Sequence, residues 1–102
     1  MSKKTGKRAA RKPQICIVTV TGEDTVGIIA RLSVAMAEDN VNIVDVNQKI
    51  MESTFVMTMA CDMAAATLDI KGINAKLDQI AEEMGLQITL QHENIFKAMH
   101  RV

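Results

Sequence analysis

The chain has no tryptophan, no tyrosine and only two phenylalanines, Phe55 and Phe96. A sheet that reads RNA stacks bases on aromatic side chains, and that platform is missing. Two cysteines, Cys16 and Cys61, are too few for a disulfide scaffold. No apolar run approaches the ~18–20 residues that span a bilayer. Residues 1–14 hold only the pair Ala9-Ala10 where a secretory signal needs an apolar stretch. These absences predict a cytoplasmic protein with no membrane partner.

The groups that carry catalysis are equally sparse. The only histidines, His92 and His100, stand in no recognisable metal spacing with the cysteines. The acid pairs Glu38-Asp39 and Glu82-Glu83 fall near expected helix C-termini and read as solvated faces. There is no Walker-type phosphate loop and no G-x-G-x-x-G. Both cysteines sit in apolar segments, where a thiol behaves as an inert small hydrophobe. The expectation is no enzyme, no catalytic residue, no metal and no cofactor.

What is present is enough for one domain. The chain has 102 residues, 48% hydrophobic and 24% charged, which excludes disorder throughout. The net charge of zero is uneven. Residues 1–13 carry Lys3, Lys4, Lys7, Arg8, Arg11 and Lys12 and no acid, whereas residues 14–102 carry 6 bases against 12 acids. Residues 1–13 therefore read as a disordered basic arm and 14–102 as an acidic globular body, which repels phosphate backbones. Eight methionines take the volume that aromatics would otherwise fill, and they repack easily.

Periodicity gives the elements. Ile15 to Val20 is nearly all apolar and rich in β-branched residues, which predicts a strand buried on both faces and hence central in its sheet. From Thr25 onward Ile28, Leu32, Ala35 and Met36 share one helical face, with Asp24 suited to cap the start and Asn40 to stop the end. Val41 to Ile50 reads as an edge strand, with Val44, Val46 and Ile50 on one face and Asp45, Asn47 and Lys49 on the other. Met51-Glu52-Ser53 links it to a strand over 54–62, forming a hairpin. Ile70, Ile73, Leu77, Ile80, Ala81 and Met84 mark a second helix that Gly85 ends. Leu86, Ile88 and Leu90 alternate in a last strand, and 93–101 forms a short helix with Ile95, Phe96 and Met99 on its sticky side.

The order β-α-β-β-α-β predicts an α+β fold, the ferredoxin-like sandwich. Its four-stranded antiparallel sheet would carry two helices on one face, plus the short C-terminal helix. The first and third strands would be central. Taken as running parallel, they would hold Cys16 and Cys61 at opposite ends of the sheet, with no disulfide between them.

The segment Thr21-Gly22-Glu23-Asp24-Thr25-Val26-Gly27-Ile28-Ile29 joins a buried strand to a helix N-terminus. The first N–H groups of a helix lack internal partners and suit a small carboxylate. Gly27 lets a ligand approach closely. Asp24 could accept from a ligand's ammonium group, and Asn42 offers both a donor and an acceptor. The same residues also have plain structural duties: Asp24 as a cap, Gly27 for tight helix–sheet packing, Asn42 for satisfying backbone groups at a turn. Spacing alone does not separate the two roles.

Val18 to Asp24, then Gly27-Ile28-Ile29, followed by Asn40-Val41-Asn42-Ile43, resembles an ACT domain. Phe55 to Met59 and the ending Ile95 to Val102 add to the likeness, which covers about residues 14–102. It is strongest to small stand-alone ACT proteins of uncharacterised function, similar to the ACT repeats of the glycine cleavage system transcriptional repressor. The resemblance implies a regulatory module that binds an amino acid or similar metabolite, often where two domains meet. Carried over, the ligand-binding positions are Asp24, Val26, Gly27, Ile28 and Asn42. Many members have Pro where this chain has Val26, and ligand-binding members often have Asn where it has Asp24. An acid at that position favours a ligand's ammonium end, or a cation, over its carboxylate.

The expectation is a homodimeric, non-catalytic sensor of a small molecule, an amino acid by resemblance. Two alternatives stand beside it. One is a ligand-free module whose function is a protein partner. The other is weak, salt-dependent nucleic-acid binding through the basic arm.

Overall fold

The computed structural model describes residues 12–100. Strand β1 (Ile15–Glu23) leads to helix α1 (Ile28–Glu38), then β2 (Asn42–Met51), β3 (Thr54–Asp62), helix α2 (Ile70–Met84), β4 (Leu86–His92) and the short helix α3 (Glu93–Met99). The sheet order is β2-β3-β1-β4, and every neighbouring pair is antiparallel. This is the ferredoxin-like sandwich. The basic arm lies largely outside the described residues, as does the end of the chain beyond His100.

The order of the elements explains the sheet. A strand–helix–strand crossover returns β2 parallel to β1, and the hairpin then reverses β3. The two central strands are therefore antiparallel, which corrects the expectation that they run side by side in one direction. It also relocates the cysteines. Cys16 and Cys61 are direct cross-strand partners in the ladder, not residues at opposite ends. Both are buried free thiols.

Alternation on β1, β3 and β4 sends one set of side chains under the helices. Cys16, Val18 and Val20, Phe55, Met57, Met59 and Cys61, and Leu86, Ile88 and Leu90 are all buried. Ile28, Leu32, Ala35 and Met36 from α1 meet them, with Ile73, Leu77 and Ile80 from α2. Phe55 is part of this core, so no aromatic side chain stands on the open face of the two central strands. Met36, Met57, Met59 and Met63 fill core volume where other folds use rings.

The helix ends are set by local chemistry. Asp69 accepts the Gly72 N–H at 2.8 Å and caps α2. Gly85 ends it at φ 67, and Asn40 follows α1 at φ 58, both in the left-handed region expected of them. Two ion-pair clasps bind α1 to α2. Arg31 meets Glu83 at 2.7 Å, and Lys76 meets Glu38 at 2.8 Å and Asp39 at 2.7 Å. Three of the four acids read as merely solvated are thus helix–helix ties.

At the other end His92 caps α3, its Nδ1 accepting from the Asn94 N–H at 3.1 Å. Phe96 stacks on His100 with centroids 4.1 Å apart, while Ile95 and Met99 stay exposed. None of the described helices is long and apolar enough to cross a membrane.

Candidate functional site

The link between β1 and α1 is displaced by three residues from where periodicity put it, because β1 runs on to Glu23. The helix starts at Ile28, and its N-cap is Gly27 at φ 93, a conformation that favours glycine. No side chain caps it, and its first turn holds no acid. Asp24 is therefore not the helix cap. Its backbone N–H donates to the Ser53 carbonyl at 3.3 Å, tying the turn to the β2–β3 hairpin. The Thr25 hydroxyl donates to the Glu23 carbonyl at 3.1 Å. Gly27 does not serve close packing either, since a Cβ placed there would meet nothing within 4 Å.

A solvent-open cleft of about 340 Å³ lies at this turn. Asp24, Thr25 and Gly27 form one wall, and Ile28, Ile29 and Ala30 present the first turn of α1. Gln48 of β2 and the core ring Phe55 close it. An uncapped helix start offers N–H donors and the positive end of the helix dipole to an anion. Asp24 offers a carboxylate and Gln48 an amide that both donates and accepts. The volume lies at the small end of the range for ligand pockets. A cleft of about 450 Å³ between Gly22, Glu23, Ser53, Thr54 and Gly85 has one carboxylate and no helix N-terminus. The cleft at the turn combines more of the groups that recognise a small polar molecule.

Asp24, Gly27 and Ile28 thus come together at this cleft. Val26 is 98% exposed and lines no part of it. Asn42 opens β2 at the far end of the sheet, opposite Asp62. Six positions separate it from Gln48, roughly 20 Å at ~3.3 Å per residue. Within one chain it does not meet the turn. The residue that sequence reasoning missed is Gln48. The signal was there: Val46, Gln48 and Ile50 share the helix-side face of β2, so Gln48 is a polar residue at an apolar position.

Burial pushes the Cys61 thiol up to about 12, with neighbouring Cys16 adding to the effect. Burial raises Cys16 too, with a further contribution from the Glu93 carboxylate. Neither thiol is an activated nucleophile. Among the described residues, no three His, Cys, Asp or Glu side chains are grouped to hold a metal ion.

The ACT domain model matches residues 14–91, more than three quarters of the chain. The chain belongs to the ACT domain family. The UPF0237 protein of Methanocaldococcus jannaschii is 43% identical over 86 residues, covering 84% of this chain and 96% of that protein. A UPF0237 protein of Listeria innocua is also 43% identical, over 84% and 97% of the two chains. Among solved structures, an ACT domain protein from Streptococcus pneumoniae aligns with a TM-score of 0.72 at 27% identity, over 87% of this chain and 100% of that one. A chain described as a glycine cleavage system transcriptional repressor shares the fold with a TM-score of 0.67 at 18% identity. ACT domains are regulatory ligand-binding modules, often for amino acids.

Proposed function

We propose that this ACT domain is a non-catalytic sensor that dimerises and binds a small zwitterionic metabolite, an α-amino acid, at the cleft between the β1–α1 turn and β2. The observation that carries the reading is the pairing of opposite electrostatics in one cleft. The uncapped start of α1 faces a ligand carboxylate, and Asp24 faces its ammonium group. Gln48 spans the two, and Phe55 and Ile28 give apolar contact to a side chain. Asp24 has no capping duty that would otherwise account for it.

The position of Asn42 supports a site shared by two copies. Asn42 is too far along β2 to join Asp24 within its own chain, and a second copy's β2 is the direct way to bring one there. Ligand binding would then bias dimer geometry or the affinity for another protein, and the differential affinity for the two states sets the size of that effect. Two buried free thiols suit the reducing cytoplasm.

A dye-based thermal melt against the twenty amino acids tests the reading, run on wild type, Asp24→Ala and Gln48→Ala. At 100 times its dissociation constant a ligand adds about 2.7 kcal/mol, which raises the midpoint by several degrees in a domain of this size. The expected result is a shift for one or two amino acids that both variants lose. Asp24→Ala itself should change stability by no more than ~0.5 kcal/mol, since it removes no cap. A flat panel would overturn the sensor and favour the second reading, a ligand-free interaction module. The exposed aliphatics of β2 are the observation behind that alternative.

A further inference from the structure

Cys16 is the second residue of β1 and Cys61 the last but one of β3. Far apart in the chain, they stand directly opposite each other, one pair in from the end of the ladder. Just outside them the Met63 N–H donates to the Gln14 carbonyl at 2.8 Å. Hydrogen-bonded pairs recur at every second position of an antiparallel ladder, so Cys16 and Cys61 form such a pair as well. The Cα atoms of a pair of that kind lie ~5.5 Å apart, at the favoured spacing for a disulfide. Both side chains leave the sheet on the helix side, and both are buried. Distance and direction suit a bond between the two free thiols.

Burial decides what can reach them. At 1% and 0% exposure neither sulfur meets an oxidant while the sheet is closed. Burial also keeps both thiols protonated there, so reaction waits on opening. The way in is short. Along the two strands, the pair is followed only by Ile15 opposite Asp62 and by the Gln14–Met63 bond. An exposed hydrogen bond from the Gln14 N–H to the Asp62 carboxylate, 3.0 Å long, completes this end. Local opening of these few ties exposes the thiols without global unfolding.

We propose that Cys16 and Cys61 are a redox pair that closes reversibly into a disulfide and locks the two central strands at this end of the sheet. The oxidant is a low-molecular-weight disulfide. In the opened state one cysteine thiolate attacks a sulfur of that molecule, whose S–S bond breaks and releases one small thiol. A mixed disulfide is left on the protein. The attached group is too large for a close-packed core, so reclosure favours the second step. There the other cysteine, as thiolate, attacks the protein sulfur of the mixed disulfide and expels the second small thiol. Each cysteine proton ends on an expelled thiol. The protein loses two hydrogens, and the small disulfide is reduced to two thiols. Excess small thiol reverses both steps. The closed bond restricts the unfolded chain and so stabilises the fold. The inference is independent of the ligand and of the dimer proposed above.

Oxidised glutathione is the probe. Native protein held with it for a day at pH 8 should lose both free thiols, counted after denaturation. Its mass should fall by two hydrogens, with no glutathione attached, and it should run as a single chain on a non-reducing denaturing gel. The melting midpoint should rise by several degrees and return with dithiothreitol. In Cys16→Ala and Cys61→Ala the oxidant should raise no midpoint. Refolding from denaturant in mixed oxidised and reduced glutathione removes the barrier of access, and the internal disulfide should dominate there too. If the refolded chain carries free thiols or glutathione adducts instead, the pairing geometry is overturned. If the refolded chain closes the bond but the native protein does not within the day, the pair is no switch. A bond that forms and lowers the midpoint overturns the lock.

Discussion

Cys16 and Cys61 face each other across the two central strands, beneath the helices and almost wholly out of water. Their proximity gives the Cys61 thiol a further reason to stay protonated. Burial is the larger cause for both, and for Cys61 the second thiol adds to it. The native protein should therefore resist a thiol reagent at pH 8, whereas the denatured chain should react at both cysteines. Rapid native labelling of either would show that the strand pair opens easily. The sign of the pH effect follows. A thiol raised in the folded state binds its proton more tightly there than in the unfolded chain. Its stabilisation is complete below about 9 and is lost as pH rises toward about 12. The melting temperature should be level from pH 7 to 8 and fall above pH 9. The fall should be shallower in Cys61→Ala, despite that variant's lower starting stability.

Gly22 is the partner of Leu86 where β1 meets β4. A Cβ on Gly22 would come within 2.7 Å of a Leu86 methyl carbon and 3.3 Å of its Cα. The methyl can turn away, but the backbone cannot, so Gly22→Ala should cost about 1–3 kcal/mol. Chemical denaturation would show this as a lower midpoint with an unchanged slope. Leu86→Ala is costly by itself in this core, but the two changes combined should cost less than the sum of their separate losses, because the second removes the atom nearest the new Cβ. If Gly22→Ala melts with wild type, the two strands are not packed as tightly as this contact requires.

Most of the fold could be read from periodicity, because β1, β3, α1, α2 and β4 each bury a face with an unbroken repeat. The bounds of β3 and α2 fall where the pattern put them. Strand direction was harder to obtain. It depends on the hairpin reversing β3 relative to β1, a global relation that no single segment carries. The β1–α1 turn misled for a local reason. Asp24 has the chemistry of a cap, but Gly27 adopts a left-handed conformation and starts the helix three residues later. Gln48 was hidden because its neighbours Val46 and Ile50 mark an apolar face that no helix covers fully. The roles of Glu38, Asp39 and Glu83 needed the helix packing, since their partners lie 37 or more residues away in the chain.

Lys76 is the hub of the tie between the helices. Its ammonium donates to the Ala35 carbonyl at 3.1 Å as well as meeting Glu38 and Asp39. Hydrogen bonds to Asp39 and then Glu38 raise its pKa, so it is charged throughout the physiological range. Asp39 is mostly shielded, and hydrogen bonds to charged groups in such places count for more than those in open water. Lys76→Met should cost about 1 kcal/mol, read as a melting point lower by ~4–8 °C. Breaking the more exposed Arg31–Glu83 pair with Arg31→Met should cost less than that, with much of its effect removed by salt. Equal losses for the two variants would mean that shielding does not distinguish them.

The β2–β3 hairpin turns on Glu52 and Ser53, at φ 50 and φ 74, between the paired residues Met51 and Thr54. Two left-handed residues in a two-residue loop form the turn whose twist matches a hairpin, and such turns favour Asn or Asp followed by Gly. A side chain in that region costs ~1–2 kcal/mol, which glycine avoids, although glycine gives back part of the gain through a freer unfolded chain. Ser53→Gly should therefore stabilise the domain by about 0.5–1 kcal/mol. The Ser53 carbonyl that accepts from Asp24 is a backbone group, so the tie to the β1–α1 turn survives the change. A higher melting point with an unaltered ligand response would show that the hairpin's strain serves no purpose at the cleft. A higher melting point with a weakened response would mean that the strained turn holds Asp24 in its binding position.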